Sequence, residues 1–310
     1  MKIVSVEPIG ISEEKAHEIA EGFAQYGHEF VCYRDRKEDE PTLIERMHDA
    51  EIVIVSNIPV RASVLSQCPK LKMLDVAFTG LDHIDLAYCA EHSIKVVNAS
   101  GYATEGVAEL AIGLMIDVYR HITALDADTR KGGTRNNYLG RELRGKRVGV
   151  VGTGAIGTCT ALLLQHFGCE IVAWSRSRKA EILDHKIPYL PLDELMRTSD
   201  IITLHVPLMA ETNHLISKEM LALCKPTAVL VNTARGNVVD MDALAQALNE
   251  GRLAGAGIDV FEKEPPLAQD HPLLHAPNCV VVPHVGYATR EAFDDRIGIV
   301  IRNIYNELGL

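Results

Sequence analysis

The strongest indication of the fold is the segment Val148-Gly149-Val150-Val151-Gly152-Thr153-Gly154-Ala155-Ile156-Gly157. Its apolar start predicts a buried strand, and its glycines follow the G-x-G-x-x-G spacing that joins such a strand to a helix, here predicted over residues 160–167. Gly152 would allow the tight turn, Gly154 would let a pyrophosphate approach the backbone, and Gly157 would let the helix pack closely on the strand. The flanking strand and helix favour a dinucleotide-binding loop over a glycine turn without a ligand.

The residues after the next predicted strand indicate which dinucleotide binds. A protein that prefers NAD usually carries Asp or Glu about 20 residues after the glycines, where it binds the ribose hydroxyls. This chain instead reads Trp174-Ser175-Arg176-Ser177-Arg178-Lys179. No carboxylate repels a 2'-phosphate there, and Arg176 with Ser175 and Ser177 can donate hydrogen bonds to it. We therefore predict NADP, with NAD as the alternative cofactor if Arg176 only stacks on adenine and the other charges form a solvated edge.

Two series of strands alternating with helices predict the fold class. The second series has strands predicted at residues 148–151, 170–173, 201–204, 228–231, 255–258 and 280–282, and a similar series precedes it from Ile3 to Val97. Such alternation favours parallel sheets with helices on both faces. The predicted class is α/β, with two doubly wound parallel-sheet domains, a Rossmann-type cofactor domain and a flavodoxin-like substrate domain, and a cleft between them.

Chain order sets the predicted domain boundaries. An amphipathic helix predicted over residues 290–308 follows the completed second sheet, so we expect it to return to the first domain. The predicted substrate domain is therefore residues 1–98 plus 287–310, and the predicted dinucleotide-binding domain is residues 99–286. Apolar residues at three- and four-residue spacing also predict one long helix over residues 104–130, which could pack the domains together, form a subunit contact or be a plain core helix.

Three polar motifs each follow a strand of the second series. They are Asn232-Thr233-Ala234-Arg235-Gly236, Asp259-Val260-Phe261-Glu262-Lys263-Glu264-Pro265 and Pro283-His284-Val285-Gly286. Because ligands of open α/β sheets bind at the carboxyl edge, we expect Arg235, Glu264 and His284 to converge there. Hydride arriving at a carbonyl carbon builds negative charge on oxygen, which a protonated imidazole held by a carboxylate can neutralise. Arginine matches a planar carboxylate with paired hydrogen bonds.

Each of these residues also has a structural interpretation when taken singly. Arg235 could be a surface ion-pair partner, Glu264 a solvated loop acid and His284 a satisfied core histidine. Their joint position at strand ends favours a shared catalytic site over three independent structural roles.

With the glycine stretch, these motifs resemble the D-isomer-specific 2-hydroxyacid dehydrogenase family over nearly the whole chain. The resemblance extends to Phe78-Thr79-Gly80-Leu81-Asp82-His83-Ile84-Asp85-Leu86, Glu142-Leu143-Arg144-Gly145-Lys146 and His205-Val206-Pro207-Leu208. It implies an enzyme that interconverts a small 2-keto acid and its D-2-hydroxy acid by hydride transfer, and a homodimer. It also implies that His284 protonates the keto oxygen, Glu264 holds and charges its imidazole, and Arg235 binds the substrate carboxylate and carbonyl.

The resemblance also implies binding residues. Backbone amides of Thr79 and Gly80 are expected to hold the substrate carboxylate, with Phe78 beside the substrate side chain. From the patterns and the resemblance together, the expected cofactor-binding residues are Thr104, Gly152, Gly154, Ala155, Ile156, Gly157, Ser175, Arg176, Ser177, His205, Pro207, Thr233, Ala234, Asp259, His284 and Gly286. For His205 a structural role is an equal alternative.

Two other functions fit the same scaffold, because a fold does not determine its substrate. One is a phosphite dehydrogenase-like oxidoreductase. A formate dehydrogenase is disfavoured because those enzymes usually pair the histidine with a glutamine, whereas this chain has Glu264. The other is a non-catalytic dinucleotide-sensing protein, which the lack of an extended low-complexity segment disfavours.

Composition argues against several classes of partner. The net charge of -11, from 31 Lys+Arg against 42 Asp+Glu, disfavours nucleic acid. The amino terminus lacks a signal-peptide core, and no apolar run approaches the roughly 20 residues of a membrane span, so we expect a cytoplasmic protein without a membrane partner. The seven cysteines include no C-x-x-C pair and are expected to be reduced. The histidines lack ligand spacing, so no metal is expected.

Overall fold

The computed structural model describes residues 1–135, 138–263 and 266–310, and its chain divides into two compact units. We call Met1–Tyr102 with Thr289–Leu310 the discontinuous unit and Ala103–Ala288 the inserted unit. The unit boundaries lie four and two residues beyond those expected from the sequence, at 98/99 and 286/287. Residues 99–102 stay with the discontinuous unit because the Ala99 N–H donates to the carbonyls of Val76 (2.9 Å) and Phe78 (3.2 Å).

The discontinuous unit, which is described throughout, contains a five-stranded parallel sheet in the order β2-β1-β3-β4-β5. Its strands are β1 (Lys2–Ser5), β2 (Glu29–Cys32), β3 (Ile52–Val55), β4 (Met73–Val76) and β5 (Lys95–Asn98), and its first helices are α1 (Glu13–Ala24), α2 (Glu40–Met47), α3 (Ala62–Leu65) and α4 (Leu86–Glu91). The three central strands, β1, β3 and β4, are short and almost wholly buried, as parallel strands covered by helices on both faces must be, whereas the edge strands β2 and β5 are partly exposed. This strand order is the flavodoxin-like order predicted for the unit.

The inserted unit contains, over its described residues, a six-stranded parallel sheet in the order β11-β10-β9-β8-β6-β7. Its strands are β6 (Arg147–Val151), β7 (Glu170–Trp174), β8 (Ile201–Leu204), β9 (Val229–Asn232), β10 (Gly255–Ile258) and β11 (Cys279–Val281). Its helices are α5 (Thr104–Arg120), α6 (Ile122–Arg130), α7 (Ala155–His166), α8 (Ala180–Asp184), α9 (Leu192–Thr198), α10 (Lys218–Ala222) and α11 (Met241–Asn249). The predicted α/β class with two parallel sheets is confirmed.

An isolated parallel bridge between Ala173 and Tyr189 extends this sheet at the outer edge of β7. The Ala173 N–H donates to the Pro188 carbonyl, and the Leu190 N–H donates to the Ala173 carbonyl, both at 2.9 Å. Residues 188–190 thus occupy the place of the third strand in the 3-2-1-4-5-6 order of dinucleotide-binding folds. That strand is reduced here to a single bridge.

The long helix predicted over residues 104–130 is wrong as one element. It is broken at His121, which adopts the left-handed conformation (φ 55°) between α5 and α6. The His121 Nδ1 atom forms a hydrogen bond of 3.1 Å with Asn278 Oδ1, a partner far away in sequence. The buried face of α5, with Ala111, Leu114 and Met115, packs into the core of the inserted unit. Of the roles considered for this segment, α5 has that of a core helix.

The chain returns to the discontinuous unit through α12 (Arg290–Leu308), over the residues predicted. Thr289 caps this helix by accepting the Ala292 N–H at 3.1 Å. The helix packs on β4, where Asn303 Nδ2 donates to Asp75 Oδ1 at 3.2 Å. No helix within the described ranges has both the length and the apolar character needed to cross a bilayer.

Candidate active site

The glycine stretch forms a tight turn between β6 and α7. Gly152 has φ +100°, and a Cβ there would lie 2.6 Å from the His205 carbonyl oxygen. A Cβ on Gly157 would lie 1.9 Å from the Gly152 oxygen. Both positions therefore require glycine for reasons internal to the fold, namely a left-handed turn and the close approach of helix to strand.

Gly154 differs from the other two glycines of the motif. Its φ of -68° suits any residue, and an added Cβ would meet no atom within 4 Å. It is the N-cap of α7, which begins at Ala155 rather than at the predicted residue 160, because the Thr158 N–H already donates to the Gly154 carbonyl at 2.9 Å. The first amides of a helix have no intrahelical acceptor. Open space beside these amides fits the pyrophosphate of a dinucleotide.

The loop after β7 is the segment expected to read the ribose. Within it Arg176 is exposed, and its guanidinium contacts the Met209 sulfur at 3.8 Å. The start of the loop is held because the Gly152 N–H donates to the Trp174 carbonyl at 2.7 Å. Its end is held because the Lys179 N–H donates to the Tyr189 hydroxyl at 3.1 Å. The loop is thus fixed at both ends while Arg176 points outward.

His205 and Thr233, which directly follow β8 and β9, differ in whether the described residues provide a hydrogen-bond partner for the side chain. Burial lowers the pKa of the His205 imidazole to about 3, so the ring is neutral, and its Nε2 lies 2.9 Å from Thr203 Oγ1. The His205 backbone packs on the glycine turn, where its carbonyl oxygen leaves no space for a Cβ at Gly152. By contrast, the buried Thr233 Oγ1 has no hydrogen-bond partner among the described residues. An orphaned hydroxyl at this edge fits a hydrogen bond to a bound cofactor.

The Arg235 loop is shaped by Asn232, the last residue of β9. Its Oδ1 accepts the Ala234 N–H and its Nδ2 donates to the Arg235 carbonyl, both at 3.0 Å. The half-buried Arg235 side chain donates from Nη1 to the Ala234 carbonyl at 2.8 Å. A Cβ on Gly236 would lie 1.9 Å from the Phe261 carbonyl carbon, so this loop packs directly on the loop after β10.

Asp259 organises the backbone around His284. Its buried carboxylate accepts the N–H groups of Val285 (2.6 Å) and Gly286 (3.0 Å), and its carbonyl accepts the His284 N–H at 2.7 Å. His284 has φ +54°, the left-handed region, which costs a residue with a Cβ about 1–2 kcal/mol. Its ring meets Tyr287 edge-on, with centroids 5.5 Å apart. The imidazole is therefore placed by a constrained backbone.

These contacts bring together most of the residues expected at the carboxyl edge of the inserted unit. The loop after β10 contacts the loop after β9 at Gly236 and the loop after β11 through Asp259. Arg235 and His284 therefore follow the two strands that flank β10, at the same edge of the sheet. Glu264 lies outside the described residues. Thr104 begins α5 and Pro207 lies in the loop after β8. Within the described chain, no side-chain hydrogen bond joins either residue to this group. The Gly286 N–H donates a hydrogen bond to the Asp259 carboxylate.

The substrate loop expected in the discontinuous unit follows β4. The Thr79 carbonyl accepts a hydrogen bond of 2.7 Å from Asn98 Nδ2, at the end of β5. Phe78 meets Tyr102 edge-on at 6.0 Å, and the Arg296 guanidinium lies 4.9 Å from the Phe78 ring. The loop is thus anchored on its own unit by one amide and two packing contacts.

Sequence reasoning assigned no role to Asn232 or Tyr189, although both order loops of the site. The signal for Asn232 was its position at the end of an apolar strand, directly before Arg235. Tyr189 carried no comparable signal, because its strand is a single bridge. Across the described residues, no group of three or more His, Cys, Asp or Glu side chains is placed to hold a metal ion.

Comparisons with known proteins agree with this geometry. The model of the D-isomer specific 2-hydroxyacid dehydrogenase family, NAD binding domain, matches residues 112–286, more than half of the chain. A glyoxylate reductase of Thermococcus litoralis is 39% identical over 273 residues, covering 84% of this chain and 82% of the relative. A hydroxypyruvate reductase of Thermotoga maritima is 37% identical over 276 residues, covering 88% and 89%.

A solved structure extends the similarity to the whole fold. An acyclic imino acid reductase in complex with NADPH and D-Arg superposes with a TM-score of 0.90 at 29% identity, covering 100% of this chain and 97% of that one. Fold, glycine turn, family match and relatives converge on a dehydrogenase that uses a nicotinamide dinucleotide. The chain belongs to the D-isomer specific 2-hydroxyacid dehydrogenase family.

Proposed function

We propose that this protein reduces a small 2-keto acid to its D-2-hydroxy acid and prefers NADPH. The observation that carries the cofactor preference is the loop after β7, where an exposed Arg176 stands between Ser175 and Ser177 and no carboxylate follows until Glu181. A 2'-phosphate there would gain charge-assisted hydrogen bonds, whereas the ribose of NADH would gain no carboxylate partner.

The proposed chemistry assigns each polar residue a separate task. The bound dinucleotide supplies the hydride. His284 donates a proton to the keto oxygen as negative charge develops there, and its constrained backbone keeps the imidazole in place before substrate arrives. Arg235 binds the substrate carboxylate with paired hydrogen bonds. Glu264 is proposed, by resemblance, to hold the imidazole in its protonated form.

The proposed substrates are glyoxylate and hydroxypyruvate, because relatives that cover more than four fifths of the chain carry those names. Reduction is the proposed direction, since cells generally keep NADP in the reduced form. A homodimer is also proposed, and light scattering behind size-exclusion chromatography would measure the mass of the assembly.

Initial rates with glyoxylate, hydroxypyruvate and pyruvate, each with NADPH and NADH, test the function. We expect kcat/KM to be at least tenfold higher with NADPH, a difference of about 1.4 kcal/mol. Arg176→Ala should shrink that ratio several-fold by raising KM for NADPH. Arg252→Ala is the matched control. It removes the same charge from the residues that precede β10, at the amino ends of the strands. Equal rates with both cofactors, or no turnover of any keto acid, would refute the proposal.

A further inference from the structure

Tyr189 joins the two cofactor loops of the inserted unit through one oxygen atom. Its hydroxyl lies 2.9 Å from Thr153 Oγ1, between two glycines of the turn, and accepts the Lys179 N–H at 3.1 Å. Thr153 is buried, with 1% of its surface exposed. A single phenol therefore connects the expected pyrophosphate loop with the end of the expected ribose loop.

The tyrosine is itself held in place from its backbone. Its neighbours Pro188 and Leu190 form the bridge to Ala173 in β7, with both hydrogen bonds at 2.9 Å. The ring packs against the core on one face of the sheet, and the Arg178 guanidinium lies 5.9 Å from its centroid. The hydroxyl is thus presented at a defined position and not on a mobile side chain.

The two anchors of the ribose loop differ in kind. The anchor at Trp174 is a backbone hydrogen bond to Gly152, which any residue at position 174 would make. The anchor at Lys179 needs the hydroxyl of Tyr189. Between them, residues 175–178 make few contacts, since Arg176 is exposed and reaches only the Met209 sulfur among the hydrogen bonds of the described chain. The geometry of this segment depends on the side-chain anchor.

We propose that Tyr189 is a positioning residue for NADPH selectivity, which it confers by holding residues 175–178 where their side chains meet a 2'-phosphate. This rests on the NADPH preference proposed above. Tyr189 itself does not touch the phosphate. It reduces the entropy that the loop would otherwise lose when Arg176 and the two serines engage the ligand.

Binding of NADPH and NADH to wild type and Tyr189→Phe, measured calorimetrically without substrate, tests the proposal. Phenylalanine keeps the ring and its packing and removes only the shared oxygen. We expect Kd for NADPH to rise about tenfold and Kd for NADH to change less than threefold. In turnover, KM for NADPH should rise while kcat stays within twofold, because the residue acts on binding and not on the reacting atoms.

Tyr119→Phe is the matched control in the same unit, because the Tyr119 hydroxyl bonds the Asp200 carbonyl (3.4 Å) just before β8, at the opposite edge of the sheet. It should leave the NADPH to NADH ratio unchanged. Thr153→Val and the double variant complete a cycle, in which effects on NADPH binding should be less than additive because both changes break one connection.

The outcomes separate the two claims. Equal wild-type affinities for NADPH and NADH would refute the preference and this inference with it. A wild-type preference that survives intact in Tyr189→Phe would overturn the inference alone. Equal weakening of both cofactors, or a matching shift in Tyr119→Phe, would show that the hydroxyl only supports the fold, and would also overturn it.

Discussion

Asp75→Asn should make the discontinuous unit more stable at alkaline pH and remove a pH dependence from it. Asp75 is fully buried in β4; its Oδ1 accepts from Asn303 Nδ2 at 3.2 Å, and its Oδ2 has no partner among the described residues. Burial raises the pKa of this carboxyl from 3.8 to about 7, against a smaller opposing effect of Asn303. The folded state therefore resists ionisation of a group that ionises readily in the unfolded chain.

The direction and size of the stability change follow from the pKa values of Asp75 in the unfolded and the folded chain. Below pH 3.8 the carboxyl is protonated in both the folded and the unfolded chain, and its burial costs no stability through ionisation. As the pH rises towards 7, the unfolded chain loses this proton first, so the stability of the folded unit falls. Above pH 7 the stability levels off. At 1.36 kcal/mol per pKa unit the full loss is about 4 kcal/mol, of which about 3 kcal/mol falls between pH 5 and pH 8. Asparagine keeps an acceptor for Asn303 and does not titrate.

Hydrogen exchange of the β4 amides, followed by mass spectrometry, is the suitable assay. The single tryptophan, Trp174, lies in β7 of the inserted unit and so would report on the other unit. The free energy required for opening in Asp75→Asn, relative to wild type, should be about 3 kcal/mol higher at pH 8 than at pH 5. Any constant misfit of the amide cancels in that comparison. Asp294→Asn, an exposed change on α12, is the control. A difference that does not vary with pH would show that ionisation of Asp75 does not govern the stability of this unit.

Two further predictions concern the inserted unit. Gly154→Ala should leave the melting temperature within about 1 °C of wild type, because φ is -68° and the added methyl meets nothing. It should nevertheless weaken NADPH binding at least about tenfold if a pyrophosphate occupies that space. Undiminished affinity would place the phosphates elsewhere. His284→Asn should lower kcat about 10²- to 10⁴-fold with NADPH affinity within about threefold, since asparagine accepts the left-handed backbone but cannot donate the proton. A kcat within tenfold of wild type would remove His284 from the chemistry.

Much of the fold could be predicted because its signals are local. Short apolar runs between polar segments marked the strands, and the period of the final helix marked residues 290–308 without error. Placing motifs after strands was enough to predict that Arg235 and His284 share a sheet edge, because parallel strands end at the same side.

The parts that sequence reasoning missed depend on distant partners. The break at His121 is stabilised by Asn278, and the His284 backbone is set by Asp259; neither pairing leaves a pattern in a local window. The early start of α7 was hidden by Gly157 and Thr158, which favour helices weakly, although the sheet and the turn impose one there. Tyr189 was missed because one bridge is too short to show a strand period.

The insertion of one unit within the other has a consequence for biosynthesis. The ribosome completes every strand of the inserted unit before it makes α12, so that unit can fold while the other still lacks its last helix. Until α12 has been synthesised, the face of β4 that carries Asp75 is not covered by this helix, and the carboxyl can stay hydrated and charged. Docking of the nineteen-residue helix α12 is thus the event that expels water from Asp75, and the free energy of that docking becomes more favourable as the pH falls below 7.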